Sequence, residues 1–202
     1  MIRLAEGVYS WGAFNDEKGM NFNGHLVVRG QETLVVDPPP HTQNEEKFLE
    51  RALKARPTLV VATNKHHLRD ARWWMERYGA PLAMHESEEN DFGFSPARRI
   101  KDGDEIAAGC RVVHLPGKTP GEFGLYIKAS GGTLIVGDAL IGHPAGALKI
   151  PPDDKLQSRA ELVGSLQKLR ELSFERLLVG DGEPLLSGAK AAVLAFLDGL
   201  KA

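Results

Sequence analysis

The chain has 202 residues, 42% of them hydrophobic and 26% charged, enough to build the core of one globular domain spanning 1–202. A net charge of −2 and a pI near 6.4 provide no global field for nucleic acid or an anionic membrane surface. Cys110 is the only cysteine, which excludes an internal disulfide and any cysteine-rich metal site.

The opening MIRLAEGVYSWG has no sustained apolar core and reads as a poor signal peptide. No apolar run approaches the ~20 residues of a membrane helix, so a cytoplasmic location and no membrane partner are expected. HLVVR (25–29) and TLVVD (33–37) read as strands joined at Gly30, and DPPP (37–40) ends the second, because proline cannot donate to a ladder. Residues 43–55 place Phe48, Leu49, Ala52 and Leu53 on one helical face. TLVVAT (58–63) is a short buried strand, 68–78 a helix, and PLAMH (81–85) the next strand. RVVHL (111–115), EFGLYIK (122–128) and TLIVGD (133–138) follow as strands. A helix over 158–171 carries Leu162, Leu166 and Leu169, RLLVGDG (176–182) is a strand ending in a turn, and 187–200 closes the chain as a helix. This order predicts a layered mixed α/β fold.

Asp37, the Thr63–Asp70 loop, Asp138 and Asp181 each follow an apolar strand. Polar groups at the carboxyl ends of strands converge on one rim of an α/β sheet, where ligands bind. The loop is the densest of the four: TNKHHLRD holds two adjacent histidines, an arginine and an aspartate.

With these residues in hand, the chain resembles the metallo-β-lactamase superfamily along nearly its full length. NGHLVVRGQETLVVDPPP is similar to that family's opening hairpin and first aspartate, here Asp37. TNKHHLRDA resembles its T-H-x-H-x-D-H loop, and HLPGKTPGEFGLYI its H-T-P-G-H-T-P-G-S loop with the strand after it. TLIVGDAL resembles the bridging-aspartate strand, and LLVGDGEPL the closing G-H-G turn. The resemblance implies an α/β fold, a four-layer αββα sandwich with the site at one edge. The usual substrates of the family are esters, thioesters, lactams and phosphodiesters.

The ligand positions depart from the family pattern. With Thr63 on the loop's threonine, Asn64 stands at the first histidine, His66 at the second, Leu68 at the aspartate and Arg69 at the last histidine. Lys118 stands at the histidine of the third motif, Asp138 is kept, and Asp181 replaces the final histidine. Zinc in hydrolases takes about three protein ligands and an open position. Leu68 has no donor atom, Arg69 stays protonated, and deprotonating Lys118 from a pKa near ~10.4 is costly. At ~4 Å and an effective dielectric near 20, each misplaced unit charge matters by roughly 4 kcal/mol. The expectation is an internal salt-bridge network, in which Arg69 and Lys118 neutralise Asp37, Asp138 and Asp181 in place of metal.

No cofactor is therefore expected, a single zinc or other divalent ion on His66, Asp138 and Asp181 being the alternative. His67, adjacent to His66, is expected to point elsewhere. His66 and Asp70, at i and i+4, are a second metal pairing. His143, in the loop IGHPAG, is a substrate-contact or general-base candidate beside Asp37, Arg69 and Lys118. His41 is a weaker one, and His25, His85 and His114 are expected to be structural. No G-x-S-x-G elbow, phosphate-loop spacing or basic stripe with aromatics is present. The resulting functions are a small-molecule or partner binder without metal, a mononuclear metal-dependent hydrolase, or a homodimeric interaction protein using a patch such as Trp73–Trp74.

Overall fold

Apolar residues alternate along the strands, and the alternation divides them between a central layer and two outer ones. The structure, a computed structural model, describes residues 1–48, 56–88, 93 and 95–200. One sheet holds, in spatial order, β1 (Ile2–Ala5), β2 (Val8–Asn15), β3 (Met20–Arg29), β4 (Glu32–Val36), β5 (Leu59–Val61), β6 (Leu82–His85) and β7 (Arg98–Ile100). The other runs β12 (Arg176–Val179), β11 (Thr133–Val136), β10 (Phe123–Ile127), β9 (Cys110–His114), β8 (Glu105–Ala107). Between the sheets, Val27, Leu34, Val36 and Val61 meet Val112, Leu125, Ile127 and Ile135.

The alternate residues face the helices. Leu26, Val35, Val60 and Leu82 pack against Ala71 and Trp74 of α2 (Ala71–Tyr78), which follows α1 (Gln43–Lys47) in the chain. On the opposite side Leu134, Val136, Leu177 and Val179 pack against Leu162 and Leu166 of α3 (Arg159–Leu166), and Val193 and Leu197 of α4 (Ala189–Gly199). The result is the expected four-layer αββα sandwich. Among the described residues no helix is long and apolar enough to cross a membrane.

Several elements differ from the sequence reading. The strands β1, β2, β7 and β8 were not expected; β2 mixes Ser10 and Gly12 into its apolar run, and β7 and β8 are three residues each, too short to show a period. The helix predicted over 43–55 begins with a capping box of Thr42 and Glu45, while Leu49, Ala52 and Leu53 lie outside the described residues. The helix predicted from 68 starts at Ala71, because Arg69 adopts φ 34° and interrupts it. Trp74 is fully buried against Trp11 and Tyr78, and Trp73 lies edge-on to Trp74, so the pair forms no exposed patch.

What positions the site is strand direction. β4 runs parallel to β5, and β11 runs parallel to β12. All four end at one edge of the sandwich, and Asp37, Thr63, Asp138 and Asp181 follow within one or two residues of those ends.

Candidate functional site

Asp37 is fully buried in the left-handed region at φ 49°. Its carboxylate accepts from the Thr63 amide at 2.8 Å and the Thr63 hydroxyl at 2.7 Å, which ties the loop after β5 to the end of β4. Asn64 then caps a 3-10 turn over Lys65–His67: its Oδ1 accepts from the amides of His66 at 2.7 Å and His67 at 3.2 Å. With that oxygen committed, the Asn64 amide donates to Glu122 and, at 3.3 Å, to Asp138. All four hydrogen-bonding positions of this side chain are thus used.

The turn delivers His67 inward. Its Nδ1 lies 2.8 Å from Asp37 Oδ2, and its Nε2 lies 3.5 Å from Asp138 Oδ1 and 3.9 Å from Asp181 Oδ1. Arg69 pairs with Asp181, donates to the Asn23 carbonyl at 3.2 Å, and brings Nη2 to 3.2 Å from His67 Nε2. The Phe22 ring lies 4.5 Å below the guanidinium. Gly180 permits this packing, since a Cβ there would come within 2.3 Å of the His67 ring.

Charge follows from this geometry. Burial and the Arg69 guanidinium push the His67 pKa down, but Asp37 and Asp138 outweigh them and raise it to about 10, which favours the charged ring. Burial acts upward on Asp37 and Asp138, yet His67 and Arg69 hold both carboxyls below their usual range. Asp181 is raised, mainly by burial. Glu122, with no exposed surface, is pushed well above the usual carboxylate range by burial and then by Asp138.

The arrangement corrects several expectations. His66 does not join Asp138 and Asp181; it is exposed at the mouth, where burial of part of its ring and the Lys118 ammonium lower its pKa. His67 takes that place: in the turn capped by Asn64 it is the buried residue. Lys118 makes no ion pair with the carboxylates; its Nζ donates to the Lys155 carbonyl at 3.1 Å, though its field reaches Asp138. Of the two cations named for the network, Arg69 pairs with Asp181 and Lys118 does not reach the carboxylates. Asp70 pairs with His41 at 2.6 Å rather than with His66. His143 is half-buried beside Gly142, whose amide donates to the Asp181 carbonyl at 3.0 Å. His85 and His114 stack face to face at 3.8 Å between the sheets, and His25 is buried on β3. Glu122 went unnoticed in sequence; its one signal is a carboxylate directly before a wholly apolar strand.

The donor set tests whether metal fits. Among the described residues, His67, Asp138 and Asp181 offer ligand atoms within 4.8 Å of one another. Yet Arg69 lies against both Asp181 and His67 Nε2, where such an ion would have to sit. Leu68 supplies no second set of donors. These residues do not fit a pair of divalent ions, and a single ion requires Arg69 to leave.

Comparisons with known proteins agree on the fold. A family model described as metallo-beta-lactamase superfamily matches residues 3–196. A metallo-beta-lactamase from Pontibacter korlensis superposes with a TM-score of 0.79 at 14% identity, covering 98% of both chains. TTHA1623, solved in a di-iron-bound form, gives 0.70 at 21% identity over 91% of this chain and 98% of its own. An uncharacterized protein of Mycobacterium leprae, ML0493, is 23% identical over 198 residues, covering 85% of this chain and 90% of its own.

Proposed function

The chain belongs to the metallo-β-lactamase superfamily, and from that premise we propose that it keeps the family's cleft while binding a small molecule or partner there without metal-dependent hydrolysis. One observation carries this reading: the Arg69 guanidinium pairs with Asp181 and lies 3.2 Å from His67 Nε2, in the place an ion on His67, Asp138 and Asp181 would need. A divalent cation there competes against a cation already bonded in place. Beside Asp138, His66 and Lys118 offer exchangeable hydrogen-bonding groups for a polar ligand.

The test is elemental analysis of protein purified from medium supplemented with zinc and iron. Substoichiometric metal, with melting temperature unchanged by chelator, is the expected result. Two tightly held transition ions per chain refute the reading. A second reading, a mononuclear hydrolase, is favoured by the closeness of His67, Asp138 and Asp181. It predicts one ion per chain and an esterase or phosphodiesterase activity lost together in Asp138→Ala.

A further inference from the structure

A cavity of about 420 Å³ opens between β1, β2, β3 and the segment that follows Asp181. It is separate from the carboxylate cluster. Asn23 forms the wall between them, donating to the carbonyls of Val179 at 3.0 Å and Gly182 at 2.7 Å while its own carbonyl receives Arg69. The volume is that of a small-molecule site.

Its lining has two chemical halves. Ile2, Leu4, Trp11 and Leu186 make an apolar surface. Ile2 is 64% exposed and Leu186 48%, two of the three large hydrophobics that the described residues leave in water, and both are at this cavity. Among the described residues of the lining the charged side chains are Glu45 and Glu183, with no lysine or arginine. Glu45 is satisfied: Oε2 accepts from the Thr42 amide at 2.8 Å and hydroxyl at 2.6 Å, and the Met1 ammonium is 3.7 Å from Oε1. Glu183 is not balanced. Its partner is the neutral amide of Asn21 at 3.2 Å, and it is exposed. A further polar group is the Trp11 indole, buried with no hydrogen-bond partner for Nε1.

We propose that this cavity binds a small amphipathic amine, its ammonium on the Glu183 carboxylate and its apolar body over Ile2, Trp11 and Leu186. An acid with spare acceptor capacity next to exposed apolar surface recognises a cation carrying a hydrocarbon chain. It disfavours the matching carboxylate, which meets Glu183 and Glu45 while the Met1 ammonium is engaged by Glu45 and no lysine or arginine of the described lining is there to receive it. The proposal does not depend on how the carboxylate cluster works, and metal analysis leaves it untouched.

The experiment titrates the full chain with hexylamine, hexanol and hexanoate, followed by the Trp11 indole NH in two-dimensional ¹H–¹⁵N NMR. Hexylamine is expected to move that signal saturably, with an affinity about tenfold above hexanol, and hexanoate to leave it in place. Glu183→Gln should bring hexylamine down to the hexanol affinity, and Leu186→Ser should weaken both. Equal responses to all three compounds, unchanged hexylamine affinity in E183Q, or no saturable shift of the indole signal each overturn the proposal.

Discussion

If His67 holds its proton in the folded protein, stability must fall as pH rises through the neutral range. The unfolded ring has a pKa near 6.5 and the folded ring about 10, so the extra stability is complete below 6.5 and vanishes by about 10. Between pH 7 and 8.5 the unfolded chain has released this proton and the folded chain has not. One proton of difference costs about 1.4 kcal/mol per pH unit, or about 2 kcal/mol over that interval. The window stops short of the range in which the buried Cys110 thiol, pushed up to about 12, adds its own loss of stability. Urea unfolding at pH 7, 7.5, 8 and 8.5 measures the slope, and His67→Gln provides the baseline. A wild-type slope no steeper than that of the variant refutes the imidazolium, and with it the idea that a histidine cation does metal's work here. Long-range ¹H–¹⁵N spectra of the ring read the same proton directly.

Three further outcomes follow from the packing. Arg69→Met leaves the Asp181 carboxylate without its cation and should lower stability by about 3 kcal/mol by chemical denaturation; calorimetry with zinc should show binding that the wild type lacks. Gly180→Ala drives a methyl into the His67 ring and should cost about 1–3 kcal/mol while abolishing the pH slope between 7 and 8.5. His85, lowered to about 4 by burial and by its stacked neighbour His114, carries the opposite pH dependence: its stability is intact above 6.5 and lost as pH falls toward 4, by roughly 3 kcal/mol in total. His85→Asn should flatten that part of the acid unfolding curve.

Much of the architecture was legible because β4, β5, β11 and β12 are continuous apolar runs that stop at Asp37, Thr63, Asp138 and Asp181. Parallel strands buried on both faces leave that signature, and the rim of acids came with it. The choice between His66 and His67 was not legible. It turns on a short 3-10 turn, in which the Asn64 oxygen takes two amides and His67 is the residue directed inward. Motif alignment counts residues and does not see that turn. Lys118 was misjudged for a related reason: the Lys155 carbonyl that takes its ammonium is 37 residues away in the chain. Glu122 pairs with Asn64 from 58 residues away, and its place directly before an apolar strand does not reveal that partner.

The fully engaged Asn64 amide also constrains how this protein can evolve. A histidine at that position would release two backbone amides and strand a buried acid at Glu122, while Arg69 still occupied its place beside Asp181. Positions 64 and 69 are thereby coupled: a ligand gained at one costs stability and stays blocked while the other keeps its present partner.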